Sequence, residues 1–297
     1  MPELPEVEAL VAFLRQRAVG HRVTRAELAA IAALKTVDPP LDALVGTSVT
    51  RCERRGKFLC LAFAPPAPLG DDAAASLWLV VHLARGGWLK WSDRLPATRA
   101  RPTRSPIALR LGLDDGSGFD LTEMGTEKRL ALSVVHDPSE VPGVASLGID
   151  PLDPAFDVAA LARLATPEAG TVKTMLSSQS LIAGVGNAYS DEALHVARLS
   201  PFKRASALSE DELGRLHDAV VSVLTEATDR AVGNDASALK GEKHRAMRVH
   251  GRTGEPCPVC GDVVRQVSFA TRSLQYCATC QTGGKPLADR RLSRLLK

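Results

Sequence analysis

Four cysteines near the C-terminal end constrain the fold of this 297-residue chain more than any other feature. Cys257 and Cys260 form one C-x2-C pair, Cys277 and Cys280 form a second, and sixteen residues separate the two pairs. Each pair places two thiolates on a tight turn, and two such pairs match the tetrahedral all-cysteine coordination of zinc. The spacing therefore predicts one structural Zn²⁺. Because sulfur fills every coordination position, none remains for a reacting water.

The segment between the two cysteine pairs has the pattern of a β-hairpin. Val263–Ser268 and Ser273–Tyr276 read as two strands, with Arg272 near the tip. An arginine on a metal-clamped hairpin is suited to bind phosphate, although a merely solvated arginine fits the same pattern. The charge distribution favours a polyanionic partner, because Lys240–Lys297 carries 12 Lys and Arg against 4 Asp and Glu. A solvated basic tail is the alternative.

Sequence periodicity predicts an α+β protein in three parts. Apolar residues at helical spacing predict a leading helix from Pro5 to Ala18, and the short alternating segments that follow predict an antiparallel β-sandwich or barrel. The pattern becomes helical around Leu147–Pro154. We therefore expect a β-sandwich domain at 1–146, a helical domain at 147–235, and a basic linker, zinc finger and basic tail at 236–297.

The individual segments behind this division are short and are punctuated by Gly, Pro and Asp. The predicted strands are His21–Leu28, Ser48–Cys52, Phe58–Phe63, Leu77–Leu83, Gly87–Trp91, Ile107–Leu113 and Leu130–Val135. The predicted helices are Val158–Leu164, Val172–Ser177, Ser190–Ala197 and Glu210–Arg230, the last capped by Ser209 and Glu212. Ala64–Ala75 and Asp93–Ser105 are predicted loops, Gly233–Ala246 a polar linker, and Leu287–Leu296 a short amphipathic helix.

The first residues offer an unusual nucleophile. A proline at position 2 permits removal of Met1, which leaves the secondary amine of Pro2 at the start of the chain. An α-amino group titrates near pH 8 and a lysine near 10.4, so the α-amine is neutral roughly a hundred times more often at pH 7. It is therefore better poised to form a Schiff base. Glu3 and Glu6 are suited to acid–base work, but glutamates in a first helical turn also simply favour the helix dipole. From these residues alone, a structural role of the glutamates in the first helical turn is a stronger interpretation than a catalytic one.

A glycine-rich turn stands ahead of a predicted helix in the segment SLIAGVGNAYSDEAL, Ser180–Leu194. Gly184 and Gly186 permit a tight turn, and Asn187 follows at the mouth of the helix. Such a turn exposes backbone N–H groups to an anion, and Lys173, a few turns earlier, is placed to add a phosphate contact. Many helix–turn–helix joints share this pattern, so it is a weak signal by itself.

Three segments taken together resemble one family. The start MPELPEVE, the segment GVGNAYSDEAL and the C-terminal GRTGEPCPVCG…CATCQ are similar, in order and spacing from residue 1 to about 281, to the formamidopyrimidine-DNA glycosylase/endonuclease VIII family. The resemblance implies a β-sandwich with a leading helix, a helix–two-turn–helix domain and a C-terminal zinc-finger hairpin. It also implies a bifunctional DNA glycosylase and abasic-site lyase that acts on double-stranded DNA containing a damaged base or an abasic site.

The resemblance assigns chemical roles to four residues. Pro2 matches the proline that attacks C1′ of the damaged nucleotide, expels the base and then supports β- and δ-elimination through a Schiff base. Glu3 matches the carboxylate that protonates the opening sugar ring, and Glu6 matches one that lines the same pocket. Lys57, in the segment RRGKF, matches a lysine that binds phosphate near the lesion.

Other residues match positions that hold the bent DNA in that family. Asn187 matches the asparagine of the helix–two-turn–helix element, and Arg272 matches the arginine of the zinc-finger hairpin. His82, in VVHLA, corresponds to a histidine near the DNA, although an ordinary β-sheet histidine fits the same position. Extrusion of a base from the duplex requires such phosphate contacts on both flanks.

Two segments depart from the family pattern where the space left by the extruded base is filled. The family has a Met after H-L-G and an Arg and a Phe in an RRFG loop, whereas here H-L-A is followed by Arg85 and the loop reads DLTEMG, Asp120–Gly125. Glu123 stands where the family arginine reads the orphaned cytosine, and Met124 stands where phenylalanine inserts. Methionine is an adequate apolar wedge, and a carboxylate can accept from a cytosine amino group but cannot donate. The sequence therefore identifies neither the preferred lesion nor the preferred opposite base.

Composition narrows the function classes further. No apolar run approaches 18 residues, and the N-terminus lacks the pattern of a signal peptide, so we expect a monomeric, cytoplasmic, nucleoid-associated bacterial protein without a membrane partner. Within the family, specialisation for oxidised pyrimidines or for bulky or crosslinked lesions is an alternative. From other classes, a non-catalytic damaged-DNA-binding paralogue and a zinc-ribbon adaptor are alternatives, but the adaptor does not explain the N-terminus.

Overall fold

The computed structural model describes residues 1–64, 77–100, 106–269 and 272–288. The chain divides into two compact units. The first unit contains Met1–Ser146 and Arg230–Leu239, and the second contains Leu147–Asp229 and Lys240–Lys297. Most of the predicted loop Ala64–Ala75, the end of the predicted loop Asp93–Ser105 and most of the predicted helix Leu287–Leu296 lie outside the described residues.

The first unit is a leading helix followed by two antiparallel sheets. Its helices are α1 (Leu4–Arg17) and the short α2 (Pro142–Ala145). Its strands are β1 (Val23–Leu28), β2 (Ser48–Arg55), β3 (Phe58–Ala64), β4 (Leu77–His82), β5 (Gly87–Ser92), β6 (Ile107–Leu113), β7 (Gly118–Glu123) and β8 (Ala131–Val135). The two four-stranded sheets have the orders β1-β6-β7-β5 and β2-β3-β4-β8.

One apolar core lies between these two sheets and α1. Helix α1 contributes the face predicted from its periodicity, since Val7, Leu10 and Leu14 are fully buried. The sheets contribute alternate residues of facing strands, including Leu59, Leu61, Phe63, Leu109, Leu111 and Phe119. Two sheets closed over one core form a β-sandwich. The predicted α+β class, with a leading helix before an antiparallel β-sandwich, is confirmed.

Strand β7 is absent from the predicted strands because a charged residue interrupts its apolar pattern. The segment Asp120–Gly125 was expected to be a loop, but its first four residues belong to β7 and the loop begins at Met124. Asp120 lies opposite Arg110 on β6 and accepts hydrogen bonds from Arg110 Nε and Nη2 at 2.7 and 2.8 Å. This buried bidentate pair compensates the charge that otherwise disfavours aspartate in a strand.

The second unit is helical and ends in a small β-hairpin. Its helices are α3 (Val158–Leu164), α4 (Val172–Ser177), α5 (Asn187–Val196), α6 (Glu210–Ala231, whose last two residues belong to the first unit), α7 (Leu239–Ala246, whose first residue belongs to the first unit) and α8 (Ala278–Thr282). Its strands are β9 (Val264–Ser268) and β10 (Ser273–Cys277), paired antiparallel as predicted. Across the described residues, no helix combines the length and apolar character needed to cross a bilayer.

Local sequence signals predicted the start of α6 correctly, but they did not predict the start of α5 or the helix α7. The predicted capping box of α6 is present, since Ser209 N–H donates to Glu212 Oε2 at 2.9 Å and Glu212 N–H donates to Ser209 Oγ at 3.3 Å. Helix α5 begins three residues before the predicted Ser190, immediately after the glycine turn. The second half of the segment Gly233–Ala246, predicted as a polar, basic linker, forms the helix α7.

Candidate functional site

The N-terminal turn of the first unit buries two carboxylates beside the first residues of the chain. Pro2 is buried, and Glu3 and Glu6 are only 3% and 2% exposed. The backbone N–H of Glu3, which is the N-cap of α1, donates to Glu6 Oε2 at 2.8 Å. The helix N-terminus favours negative charge at this position, which offsets part of the cost of burial. Met1 is half-exposed and so accessible for removal.

Lys57 and His82 lie in neighbouring segments of the sheet that contains β3 and β4. Lys57 is buried in the turn between β2 and β3, directly after Gly56, which adopts a positive φ of 56°. His82 ends β4 and pairs in register with Phe58, and their ring centroids are 4.9 Å apart. Burial lowers the pKa of His82, and the positive charge of Lys57 lowers it further. The imidazole is therefore neutral at pH 7, and its predicted proximity to DNA stays a prediction.

The two segments expected to fill the space of an extruded base lie side by side in the first unit. The turn after β4 is closed by a hydrogen bond from Gly87 N–H to Leu83 O at 2.9 Å. Its Gly86 carbonyl accepts from Met124 N–H at 3.0 Å, and a Cβ on Gly86 would lie only 2.1 Å from Met124 O. Arg85 at the tip of this turn is exposed, and Met124 is 64% exposed. A large apolar side chain held this far into solvent is suited to insert between bases.

Glu123 does not point outward beside Met124. Its side chain is only 4% exposed, and Glu123 Oε1 accepts the backbone N–H groups of Arg129 and Leu130 at 2.6 and 2.8 Å. The Glu123 carbonyl also accepts from the Lys128 ammonium. The carboxylate therefore anchors the loop that presents Met124 and is not placed to accept from a cytosine, as the sequence had allowed.

In the second unit, the predicted phosphate-binding residues line one cleft of about 140 Å³. Asn187 at the start of α5, Lys173 on α4 and Arg272 immediately before β10 all contribute to its wall. The tight turn before α5 needs Gly184, which has a φ of +86°, and Gly186 is the N-cap of the helix. The local sequence thus brings a helix N-terminus, an amide and a guanidinium to one cleft, which is suited to bind an anion.

Lys173 also donates hydrogen bonds to the first turn of α5. Its ammonium donates to Asn187 O and Ser190 Oγ, both at 2.7 Å, and to Asp191 Oδ1 at 2.5 Å. An ammonium has three N–H donors, and these three acceptors match them. Lys173 therefore fixes the first turn of α5, while its direct contact with phosphate stays a prediction. Asn187 is fixed as well, because its Nδ2 donates to Ser273 O at 2.7 Å.

Two phenylalanines that the sequence analysis did not single out stand beside Arg272. The Arg272 guanidinium carbon lies 5.9 Å from the centroid of the Phe269 ring, within the range of a cation–π contact. Phe202 meets Phe269 edge-to-face, with 6.5 Å between centroids. Both rings line the cleft and are more than one-third exposed. Each occurs as a lone aromatic in a loop, so periodicity gave no signal for them.

Adjacent buried carboxylates on α5 were also missed by the sequence analysis. Asp191 is 1% exposed and accepts from His250 Nδ1 at 2.7 Å and from Gln275 N–H at 3.2 Å, in addition to Lys173. Glu192 accepts the backbone N–H groups of 248, 249 and 250 at 2.7 to 2.9 Å. The only sequence signal was a pair of acidic residues in the predicted helix, which is ordinarily a solvated feature.

The four cysteines come together as predicted. Their sulfurs all lie within 4.8 Å of one another, with 3.9 Å between Cys257 and Cys280 and 3.4 Å between Cys260 and Cys277. A tetrahedral zinc ion with Zn–S bonds of about 2.3 Å requires S–S separations of about 3.8 Å. The residues therefore fit one Zn²⁺ bound by four sulfurs, and the predicted structural zinc is confirmed.

Comparison with known proteins places both units in one family. Residues 1–126 match the formamidopyrimidine-DNA glycosylase N-terminal domain, residues 147–238 match the formamidopyrimidine-DNA glycosylase H2TH domain, and residues 254–283 match the zinc finger found in FPG and IleRS. The chain belongs to the formamidopyrimidine-DNA glycosylase (Fpg) family. The predicted resemblance is thereby confirmed.

Individual relatives agree with this assignment over nearly the whole chain. The formamidopyrimidine-DNA glycosylase of Symbiobacterium thermophilum is 33% identical over 95% of this chain and 89% of its own length. An uncharacterized formamidopyrimidine-DNA glycosylase-like protein of Mycobacterium tuberculosis is 58% identical, but over only 52% of this chain. The solved structure of the MutM (Fpg) protein from Thermus thermophilus has a TM-score of 0.76 and 31% identity, over 96% of this chain and all of that one. The Fpg of Lactococcus lactis in complex with abasic-site DNA has a TM-score of 0.79 and 25% identity, over 94% of this chain and 99% of that one.

The anchoring role of Glu123 is testable by substitution. Glu123→Ala leaves two N–H groups, of Arg129 and Leu130, without their acceptor, and an unsatisfied buried donor costs about 1–3 kcal/mol. We expect lower stability in urea denaturation and faster hydrogen exchange of these two amides. Glu127→Ala is the matched control, since Glu127 lies in the same loop and its ion pair with Arg129 is exposed at 3.2 Å. Equal effects of the two substitutions would contradict the anchoring role.

Proposed function

We propose that this chain is a bifunctional DNA glycosylase and abasic-site lyase of base excision repair, with the amine of Pro2 as its nucleophile. The observation that carries the proposal is the buried N-terminal turn, in which Pro2 is followed by the two buried carboxylates of Glu3 and Glu6. Membership of the Fpg family supports it. Double-stranded DNA with a damaged base or an abasic site is the proposed substrate.

The first chemical step joins the chain to the sugar. With Met1 removed, the lone pair of the Pro2 nitrogen attacks C1′ of the damaged nucleotide. The C1′–N bond to the base breaks, and the base leaves with the bonding electrons and takes up the proton of the amine. The C1′–O4′ bond then opens as Glu3 supplies a proton to O4′. The product is an iminium ion in which C1′ is doubly bonded to the proline nitrogen, and a secondary amine forms this cation without losing a second proton.

The iminium ion then drives strand cleavage. Its positive nitrogen acidifies the C2′ hydrogen, so removal of that proton expels the 3′ phosphate by β-elimination. A further proton loss expels the 5′ phosphate by δ-elimination, and hydrolysis of the imine releases the amine. Glu6, which accepts the N–H of Glu3, holds the turn in place, and Lys57 is the proposed phosphate ligand near the lesion.

Oxidised or ring-opened bases are the proposed substrates, on two grounds. Solved complexes of the Lactococcus lactis Fpg contain DNA with N7-benzyl-Fapy-dG and DNA with an oxidised pyrimidine, and these structures are 26% and 27% identical to this chain. The exposed Met124 supports base extrusion, because an apolar wedge occupies the space that the extruded base leaves. Arg85 stands beside it in the turn after β4.

The cleft of the second unit is the proposed site for the DNA backbone. Asn187 at the N-terminus of α5 and Arg272 both line this cleft, and each offers N–H donors to an anion. Phe202 and Phe269 form an apolar wall beside the arginine, which suits the sugar next to a bound phosphate. Lys173 supports the site by fixing the helix that carries Asn187.

Borohydride trapping tests the nucleophile. Reduction of the imine converts it to a stable amine, so the protein should become covalently attached to an oligonucleotide that contains an abasic site. Pro2→Gly keeps an N-terminal amine but makes it primary and changes its placement, and we expect the adduct to decrease strongly. The proposed mechanism would be contradicted if the unchanged protein formed no adduct, or if Pro2→Gly formed as much adduct as the unchanged protein.

The anchored position of Glu123 predicts weak selectivity for the opposite base. A bidentate arginine contact is worth about 1–3 kcal/mol of discrimination, and Glu123 supplies none because its carboxylate binds backbone N–H groups. We expect excision of one lesion paired in turn with C, A, G and T to differ by less than about fivefold. A clear preference for cytosine would mean that another donor reads the orphaned base, and Arg85→Ala would then test the neighbouring arginine.

The cleft makes a separate prediction about salt dependence. Each neutralised phosphate contributes a slope of about −0.9 to the dependence of log K on log salt concentration. Arg272→Ala should therefore lower the magnitude of this slope by about 0.9, and Arg272→Lys should restore it. Phe269→Leu should weaken binding without changing the slope, because the ring carries no charge. An unchanged slope in Arg272→Ala would exclude a phosphate contact by this residue.

A further inference from the structure

The zinc finger is contacted by a histidine that belongs to a different element. His195 lies near the C-terminal end of α5, and its Nε2 is 3.2 Å from Cys257 Sγ, 62 positions later in the chain. Both side chains are buried, His195 being 3% exposed and Cys257 2%. None of the roles described above involves this residue.

The surroundings of the ring decide which of its nitrogens carries the proton. His195 Nδ1 is buried and has no hydrogen-bond partner among the described residues. A proton on Nδ1 would be a buried donor without an acceptor, and the lone pair of Nε2 would then face a thiolate. With the proton on Nε2, the ring donates an N–H···S hydrogen bond, and the unpaired atom is an acceptor, which is the less costly of the two to leave unpaired.

The imidazole is not a metal ligand. Among the described residues, the group of sulfurs that lie within 4.8 Å of one another consists of the four cysteines without His195. Four sulfurs already complete a tetrahedral shell. The ring therefore stands outside the ligand set and acts on one of its members.

We propose that His195 is a positioning residue of the zinc site, which donates an N–H···S hydrogen bond to the Cys257 thiolate. A hydrogen bond of this kind fixes the orientation of the ligand and draws charge from the sulfur, and the metal is then released more slowly. It also joins α5 directly to the finger. Asn187 begins the same helix and donates a hydrogen bond to Ser273 O of the hairpin. Both ends of α5 therefore contact the zinc finger.

Matched substitutions separate the hydrogen bond from simple packing. Glutamine and methionine have similar lengths, but only glutamine carries an N–H donor near the position of Nε2. Loss of a hydrogen bond to a metal ligand typically costs 10- to 100-fold in metal affinity. We therefore expect His195→Met to release zinc to an excess of chelator about 10 to 100 times faster than the unchanged protein, and His195→Gln to stay close to it. His195→Phe, which fills the space of the ring, should behave like His195→Met.

Substitution of zinc by cobalt(II) gives a spectroscopic readout that a change in packing alone would not alter. The sulfur-to-cobalt charge-transfer bands should shift to lower energy in His195→Met, because the thiolate loses a hydrogen bond, and should stay in place in His195→Gln. Metal content should remain one ion per chain in every variant. Equal release rates in the methionine and glutamine variants, whether fast or slow, would overturn the proposal. A three-thiolate cobalt spectrum of the unchanged protein would also overturn it, because His195 would then be a ligand.

Discussion

Two buried carboxylates on one helix hold the second unit together. Asp191 accepts hydrogen bonds from Lys173 of α4, from His250 and from the backbone of Gln275 in β10, while Glu192 accepts three consecutive backbone N–H groups. A buried charge is tolerated only when it is fully paired, and removal of one partner leaves the other charge uncompensated. The positions of α4, of the segment after α7 and of the zinc hairpin therefore all depend on α5. The same helix carries Asn187 at its start and His195 near its end, so the cleft lined by Lys173, Asn187 and Arg272 and the zinc finger both depend on α5.

The first unit uses a different solution for its buried charges. Glu6 accepts the N–H of Glu3 at the start of α1, Asp120 is paired with Arg110 across two strands, and Glu123 holds the loop behind Met124. In each case, a buried carboxylate accepts hydrogen bonds from N–H donors that would otherwise lack an acceptor. These bonds hold the start of α1 and the loop after β7, where Pro2 is buried and Met124 is exposed.

Sequence patterns predicted the elements whose signals are local. The spacing of the cysteines predicted the metal site, apolar periodicity predicted α1 and α6, and the box of Ser209 and Glu212 marked the start of α6 correctly. The residues whose structural roles were not predicted have one physical feature in common. Asp120 was assigned to a loop, Glu123 to the position that faces the opposite base, and the acidic pair on α5 to no role, because their partners lie on other elements or are backbone N–H groups, which sequence patterns do not reveal. Lys173 illustrates the same point, since its nearest acceptors are on the next helix.

The most direct test of the central claim uses the N-terminal amine itself. A protein with a protease-removable extension ahead of Pro2 has an amide nitrogen there, which cannot form an imine, and cleavage then exposes the secondary amine. The account predicts that the extended form gives no borohydride-trapped adduct with abasic-site DNA, that the cleaved form does, and that mass spectrometry places the adduct on the peptide that begins with Pro2. An adduct of undiminished yield in the extended form, or one that maps to a lysine such as Lys57, would contradict it.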